Sequence, residues 1–198
     1  MAAGIEDLAR RIGHYVWTES MLFEVLGGWA TEVPEPDVKV FVGTHCHRHA
    51  WHAELWRQRL PELRELDPQR LIVPANDEMA RFADTLVTPQ APEQTVEKLA
   101  GVYRVLLPRC VSAYTSHRDL VDDRTDAPTG RVLDLVLRDQ LDEWRDGELL
   151  LQSLLATADD VARATAHQAE LEALIVTASG ITGPDGDAAD GVAPDRPG

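Results

Sequence analysis

The residues with the clearest chemical potential are histidines crowded into one short stretch of the chain. Four of its seven histidines lie in THCHRHAWHAELW, residues 44–56. Spacings of three and four residues recur on one face of an α-helix, so His45, His49 and His52 would share a face. Neutral imidazole nitrogens bind transition metals, and imidazoles also transfer protons near neutral pH. The pattern therefore indicates either a metal site or an acid–base site on this helix, and the alternative is a solvated helix face that happens to be rich in histidine.

Acidic side chains interrupt the apolar stripes of two other helical segments. Glu19 fills a gap in the apolar row of the first segment, and Asp139 and Glu143 lie one turn apart on a stripe of valines and leucines. A buried charge without a partner is costly, so these positions are informative. The alternatives are that Glu19 is a boundary residue and that Asp139 and Glu143 lie on a solvated face with local ion pairs.

A further histidine, His117, extends the apolar row that contains Tyr103, Cys110 and Tyr114. Taken alone, it is typical of a satisfied core histidine. If the helices pack side by side, however, the acids and imidazoles lie at a similar depth and can converge. Carboxylates and imidazoles together form a ligand set that iron or manganese accepts. The predicted metal ligands are Glu19, His49, His52, His117, Asp139 and Glu143.

Helical periodicity accounts for almost all of the chain that must position these residues. The first helix is predicted over residues 5–30, ended by Gly27 and Gly28 and by the VPEPD stretch after them. The second holds the histidines, extends back over VKVFVGT and stops near LPELRELDP. Four further helical patterns cover residues 77–87, 91–123 with a kink at Pro108, 131–158, and 159–178, the last of which either continues its predecessor or folds back.

These elements predict an all-α protein. The connection between the second and third long helices is longer than that between the first and second, which indicates a four-helix bundle with one crossover and an additional C-terminal helix. A single domain is predicted over residues 1–178. Residues 179–198, rich in Gly, Pro and Asp, are predicted to be a disordered acidic tail. The tryptophans at positions 17, 51, 56 and 144 are predicted to lie in the core rather than around a pocket.

Composition limits the partners. The formal net charge of −15 argues against sequence-independent nucleic-acid binding, which depends on lysine and arginine contacts with phosphates. No apolar run reaches the roughly 18 residues that span a bilayer, so we do not expect a membrane protein. The N-terminus, MAAGIEDLARRIGHYVW, carries charges where a signal peptide would be apolar, which predicts a cytoplasmic protein. Cys46 and Cys110 are far apart and are predicted to be free thiols.

The positions of these candidate ligands resemble the pattern of the ferritin-like superfamily, in particular its tRNA-hydroxylase-type and related di-iron bundles. The resemblance covers roughly residues 5–157. In that family the first helix contributes a Glu and the second contributes a Glu-x-x-His motif. Glu19 matches the first position, and His49 and His52 have the spacing of the second motif with His in place of Glu.

The last two positions of the family pattern are also replaced. The third helix of the family supplies a Glu, where this chain offers Tyr114 or His117. The fourth supplies a second Glu-x-x-His, where Gln140 and Glu143 stand. Bridging carboxylates hold two irons together. The replacements therefore leave open a mononuclear site, a mixed site of altered metal preference, or a bundle that has kept the fold and lost the metal.

Three classes of function follow from this pattern. The resemblance implies a non-haem metal-dependent oxidoreductase or oxygenase that acts on a small molecule, with Tyr15, Tyr103 and Tyr114 lining an apolar pocket. A metal-free bundle could instead use a buried His and Glu network to bind a small molecule or to perform acid–base chemistry. The third class is a structural or interaction protein, in which the amphipathic last helix mediates docking or forms a homodimer.

Overall fold

The computed structural model describes residues 4–61 and 67–184, and within these ranges the regular structure is entirely helical. The all-α class predicted from the sequence is therefore confirmed. Short 3₁₀ turns cover Pro68–Leu71 and Pro92–Gln94. The α-helices are α1 (Ile5–Glu32), α2 (Pro36–Arg57), α3 (Asp77–Leu86), α4 (Thr95–Ala100), α5 (Leu107–Leu120), α6 (Ala127–Leu154) and α7 (Ala158–Thr177).

Helices α1 and α2 form a hairpin joined by only three residues, 33–35. Helix α1 continues through Gly27 and Gly28 to Glu32, so the prediction that the glycines end it is wrong, whereas the helix does end at the VPEPD stretch that follows, two residues beyond the predicted range of 5–30. A Cβ atom at Gly27 would lie 3.2 Å from Cys46 Sγ, so the glycine lets α2 approach α1 closely. Helix α2 extends back over VKVFVGT as predicted. It begins at Pro36, whose fixed φ suits the first helical position.

Helices α4 and α5 belong to one continuous helix that contains a π-helical segment, Gly101–Leu106. The backbone N–H of Leu107 donates to the carbonyl of Val102, five residues back. Pro108 follows at once and has no N–H to donate to the preceding turn. The wider turn therefore lies immediately before the proline at which the sequence predicts a kink.

Contacts across the bundle give the direction of this continuous helix. Lys98 near its start pairs with Glu32 at the end of α1. Tyr114, farther along, donates a hydrogen bond to Glu19 in the middle of α1, so the two helices run in opposite directions. Helix α2 also opposes α1, and it is therefore parallel to the continuous helix. The long connection over residues 58–94, which contains α3, returns the chain to the end of the bundle where α4 begins.

The remaining long helices complete the packing. Arg104, in the π-helical segment, pairs with Glu148 on α6, and Arg118, near the end of α5, pairs with Asp134 on α6, so α6 runs antiparallel to α5. Helix α7 is separate from α6 and folds back against α3 and α4. It begins with a capping box, in which Thr157 and Asp160 exchange hydrogen bonds. Of the two arrangements that the sequence leaves open for the last helix, the structure has the one that folds back.

The predicted core positions of the tryptophans need correction. Trp56 is fully buried, whereas Trp51 is 44% exposed and Trp144 is 38% exposed. Both exposed residues lie on helix faces turned away from the bundle, because the buried stripes of α2 and α6 contain polar residues instead. On α6 the apolar row through Leu141 is also partly solvated, since the buried side of this helix carries Glu143.

The chain beyond α7 packs for several residues before the described range ends. Ile181 is 1% exposed, and Gly183 lies against Ala75 and Asn76. Both positions lie in residues 179–198, which the sequence predicts to be a disordered tail, so the prediction does not hold for these first residues. Residues 185–198 lie outside the described residues. Among the described helices, none combines the length and the apolar character needed to cross a membrane.

Candidate metal centre

Helix α1 places Glu19 on its buried face, between Tyr15 and Leu22, which are also fully buried. Both carboxylate oxygens are engaged. Oε1 accepts hydrogen bonds from the Tyr114 hydroxyl at 2.6 Å and from Gln140 Nε2 at 2.8 Å. Oε2 accepts one from His49 Nδ1 at 2.6 Å. The alternative that Glu19 is a boundary residue is therefore wrong, because the carboxylate is held from three helices in the interior.

Helix α2 supplies two imidazoles from successive turns of its buried face. His49 and His52 are both fully buried. His52 Nδ1 lies 3.5 Å from the same Glu19 oxygen that His49 approaches. One ligand atom from each of the three residues can be chosen so that all lie within 4.8 Å of one another. The structure therefore brings three of the predicted ligands together as a compact group, here called the Glu19 cluster.

Helix α6 supplies carboxylates to the far sides of the two imidazoles. His49 Nε2 lies 3.2 Å from Glu143 Oε2, and His52 Nε2 lies 3.1 Å from Asp139 Oδ2. Glu143 is fully buried and the Asp139 side chain is 29% exposed, so the solvated-face alternative is wrong for Glu143. Each imidazole consequently lies between Glu19 on one side and an α6 carboxylate on the other.

Opposing charges dominate the protonation of the cluster. Burial by itself would raise the pKa of Glu19, but attraction to His49 and the hydrogen bond from it hold the pKa below its usual value. Burial would lower the pKa of His49, yet Glu19 and Glu143 together raise it to about 10. The pKa of His52 is also raised, because Glu19 and Asp139 outweigh the effect of burial. Without a metal, the surrounding carboxylates therefore favour the protonated form of both imidazoles.

Among the described residues, His52 Nδ1 is a buried polar atom of the centre that makes no hydrogen bond. His49 Nε2 and Glu143 Oε2 face each other at 3.2 Å but do not form a well-aligned hydrogen bond. An unsatisfied buried polar atom costs roughly 1–3 kcal/mol. A cation bound by Glu19 and the two Nδ1 atoms would give His52 Nδ1 a partner. The donor set and its incomplete hydrogen bonding therefore fit a metal ion.

The edge of the centre lies between α2 and α6. Arg48 Nη1 is 3.4 Å from Glu143 Oε1, and its side chain is 39% exposed. Asp139 lies at the same edge. On the opposite side, the rings of Tyr15, Trp56 and Tyr114 pack with centroids 4.6–5.5 Å apart and close the interior. The partly exposed side chains around the centre, Arg48 and Asp139, therefore lie on its α2–α6 side.

His117, predicted as a ligand, is not brought to the Glu19 cluster. Its ring lies 5.7 Å from that of Tyr15, one turn of α5 beyond Tyr114. Burial and the nearby Arg11 guanidinium lower the pKa of His117 to about 4. Tyr114 is the residue of α5 that contacts Glu19, and it is the other candidate for this position in the family pattern.

His45, on the same buried face of α2, forms a separate pair with Tyr103. The two side chains share a hydrogen bond of 2.8 Å between His45 Nδ1 and the Tyr103 hydroxyl. The Tyr103 ring lies directly over Gly147, where a Cβ atom would come within 2.1 Å of it. Because Tyr103 belongs to the π-helical segment, this pair links that segment to α2 and α6.

Sequence reasoning missed one residue of the centre, Arg48. Arg48 precedes His52 by one helical turn, which indicates a position near the cluster. Because arginine does not bind metals, it is not among the ligands predicted from the sequence. The sequence places Gln140 and Tyr114 near the site. It does not reveal that both side chains donate hydrogen bonds to Glu19.

No family model matches the sequence, and neither a curated protein nor a solved structure matches the chain.

Proposed function

We propose that this chain is a ferritin-like bundle that binds one iron or manganese ion and acts as a non-haem oxidoreductase or oxygenase on a small molecule. The observation that carries the proposal is the convergence of Glu19, His49 and His52 in the bundle interior. Two histidines and one carboxylate form the ligand set of mononuclear non-haem iron oxygenases, which keep coordination positions open for reactants.

The distances within the Glu19 cluster support metal binding if the side chains shift slightly. Ligand atoms on one ion, with bonds of about 2.1 Å, lie roughly 3 Å or slightly more apart. The 3.5 Å between Glu19 Oε2 and His52 Nδ1 agrees with this spacing. The 2.6 Å between Glu19 Oε2 and His49 Nδ1 is that of a hydrogen bond. Exchanging this proton for a metal ion requires the two side chains to separate by less than about 1 Å.

The surroundings of the imidazoles support the same conclusion. A histidine that binds a metal through one nitrogen usually donates its other N–H to a carboxylate, which fixes the ring and raises its basicity. Glu143 stands beside the second nitrogen of His49, and Asp139 beside that of His52. These acids therefore act as positioning residues rather than as ligands. This interpretation assigns a role to each α6 carboxylate predicted from the sequence.

The chain's own residues prepare Glu19 for this role. Tyr114 and Gln140 hold Oε1, which leaves Oε2 directed at the imidazoles. The aromatic layer of Tyr15, Trp56 and Tyr114 keeps bulk water from that side of the centre. When bound, the metal would supply Lewis acidity and redox chemistry with dioxygen. Arg48 and Asp139 would control the approach of the small molecule from the α2–α6 edge.

The arrangement of the helices supports the ferritin-like part of the proposal. One short and one long connection produce a pair of parallel neighbours, α2 and the continuous α4–α5 helix, within an otherwise antiparallel set. Ferritin-like bundles contain one such long crossover. The replacement of bridging carboxylates by His49 and Gln140 favours one metal over two.

A second candidate function is supported by the 2.6 Å hydrogen bond between Glu19 and His49. This bond joins the two groups directly and balances their charges without a metal. A metal-free centre could bind a small molecule and transfer a proton through His52, which lies between buried Glu19 and partly exposed Asp139.

Elemental analysis separates the two functions. The chain is purified without chelator, and a second sample is loaded anaerobically with Fe²⁺ or Mn²⁺. We expect about one metal per chain, lost in His52→Ala and retained in His47→Ala, which removes a histidine from outside the buried face of the same helix. A wild-type chain that stays metal-free after loading would overturn the first function. Ligand binding that depends on pH but not on metal would then support the second.

A further inference from the structure

A polar cavity lies between α1, α5 and the end of α7, and it shares no lining residue with the Glu19 cluster. Its volume is about 410 Å³. Arg11 lines it from α1, Arg109 from α5, and Ser179 and Thr182 from the turn after α7. Asp and Glu make up 34 of the chain's 198 residues, yet no acidic side chain is among the described residues that line this cavity. The described walls of this cavity therefore carry arginine side chains and no carboxylate of their own.

One wall of the cavity is a polar face of α5. Arg109, Ser112 and Ser116 are spaced by three and four residues, so they share one side of the helix. The hydroxyls of Ser112 and Ser116 make no hydrogen bond to other residues in the described part of the chain. Arg109 Nη2 contacts Glu172 Oε2 at 2.6 Å, and a guanidinium has further N–H groups to donate. This wall consequently offers hydrogen-bond donors from one cation and two hydroxyls.

The turn after α7 contains an unusual choice of residue. Ser179 has a φ of 59°, in the left-handed region where helices usually end in glycine. Its N–H donates to Val176 O, and the N–H of Gly180 donates to Ile175 O, which closes the helix end. A side chain at this position costs stability relative to glycine. The Ser179 side chain therefore lines the cavity at a position where glycine would be the more stable residue.

We propose that this cavity binds a small organic anion, a phosphate or carboxylate attached to an apolar body. Guanidinium groups pair with the oxygens of such anions, and the serine hydroxyls add donors. Ile175, Ile181 and Leu120 form apolar walls for the rest of the ligand. The volume lies within the range of cavities that hold small organic ligands. The site is independent of the metal proposed for the Glu19 cluster.

The experiment is a calorimetric titration of the full chain with phenyl phosphate, benzoate, inorganic phosphate and benzyl alcohol. We expect saturable binding of phenyl phosphate or benzoate and none of benzyl alcohol. The stronger of the two aromatic anions distinguishes a phosphate from a carboxylate ligand. Inorganic phosphate tests whether the apolar walls contribute. Absence of saturable binding by both aromatic anions would overturn the proposal.

Variants locate the binding. Arg109→Gln should weaken affinity about tenfold or more, because a charged hydrogen bond is lost, and Ser112→Ala combined with Ser116→Ala should weaken it several-fold. The matched control is Arg145→Gln, an exposed arginine on α6. Glu19→Gln should bind the anion as the wild type does. Equal affinity of Arg109→Gln and the wild type, with both folded by circular dichroism, would contradict the assignment.

Ser179→Gly gives a readout that a purely structural role would not produce. Glycine relieves the left-handed strain, so the melting temperature should rise. Loss of the hydroxyl should weaken anion binding at the same time. A rise in melting temperature with unchanged affinity would show that Ser179 takes no part in binding, and would remove the turn from the proposed site.

Discussion

Two pairs of buried histidines in this bundle have opposite protonation. His49 and His52 lie between carboxylates of α1 and α6, which raise their pKa values. His14 and His117 lie nearer the N-terminal end of α1. Burial lowers the pKa of each to about 4, and the positive charge of Arg11 lowers it further. All four side chains are almost completely buried. The charge of the neighbours, rather than the degree of burial, therefore decides which imidazoles are protonated.

The comparison explains why only one pair forms a candidate metal centre. A metal needs ligands that gather negative charge, and the two imidazoles of the Glu19 cluster have three carboxylates around them. The His117 side offers an imidazole beside a cation, since Arg11 lies near it. Such a site repels a divalent ion. The same residue type on neighbouring faces of one bundle thus supports different chemistry.

The largest expected effect is loss of metal binding in Glu19→Gln. The substitution keeps the shape of the side chain and its hydrogen bonds with Tyr114 and Gln140, but it removes the charged ligand. We expect the metal affinity to fall by more than about 100-fold, since even the loss of an outer carboxylate costs 10–100-fold. Isothermal titration of the metal-free protein with Mn²⁺ measures the change.

The matched control for that variant is His117→Gln, which removes the buried histidine of the other pair. We expect it to bind metal with unchanged affinity, because His117 does not reach the Glu19 cluster. A parallel loss of affinity in both variants would mean that the two regions are coupled, and the contrast between them would no longer hold.

The next expected effect is that the two pairs of histidines lose their protons at widely different pH values. In the metal-free protein, His49 should stay protonated up to a pH of about 10, and His117 should stay neutral down to about 4. NMR titration of imidazole signals, assigned with single His→Gln variants, measures both midpoints. Two histidines that titrate together near their ordinary value of 6.5 would contradict the described surroundings.

These pKa values also give the sign of the pH effect on stability. The raised pKa of His49 contributes to the free energy of unfolding fully below 6.5, and the contribution is lost as the pH rises toward 10. The lowered pKa of His117 has the opposite effect: its contribution is present above 6.5 and is lost as the pH falls through about 4. Chemical denaturation should therefore show less acid sensitivity in His117→Gln and less alkaline sensitivity in His49→Gln.

A smaller effect is expected from the outer carboxylates. Asp139→Asn keeps a hydrogen-bond partner for His52 Nε2 but removes the charge that raises the basicity of the ring. We expect metal affinity to fall about tenfold, at the low end of the range for such residues. Asp142→Asn, an exposed acid one turn farther along α6, is the control and should have no effect. An equal loss in both would point to general electrostatics instead of contact with His52.

Much of the fold could be predicted from helical periodicity, because long amphipathic patterns survive most local disturbances. The all-α class and the extension of α2 back over VKVFVGT are examples. The end of α1 was predicted to within two residues, but the role of its glycines was not. Gly27 and Gly28 usually indicate a helix end, but here the helix continues through both, and Gly27 allows close packing against Cys46. Local propensity does not contain that information.

The candidate site was predictable where residues share one helix and was less so where different helices meet. The i, i+3 spacing of His49 and His52 is enough to place both on one face of α2. Whether Tyr114 or His117 faces Glu19 depends on the register of α5 against α1, and the two residues differ by less than one turn. The π-helical segment, which shifts that register, has no clear signal in the sequence except Pro108.

The smallest expected effect concerns His45, which is buried like the others but has a neutral partner. Tyr103→Phe removes the hydroxyl bonded to His45 Nδ1 and keeps the ring over Gly147. We expect the free energy of unfolding to fall by roughly 1–3 kcal/mol, because His45 Nδ1 would stay buried without its partner. Metal affinity should stay unchanged, because a neutral hydroxyl adds no charge to the centre. Urea denaturation and Mn²⁺ titration measure the two quantities on one preparation. If the free energy of metal binding fell by more than the free energy of unfolding, His45 would have to belong to the metal centre together with His49 and His52.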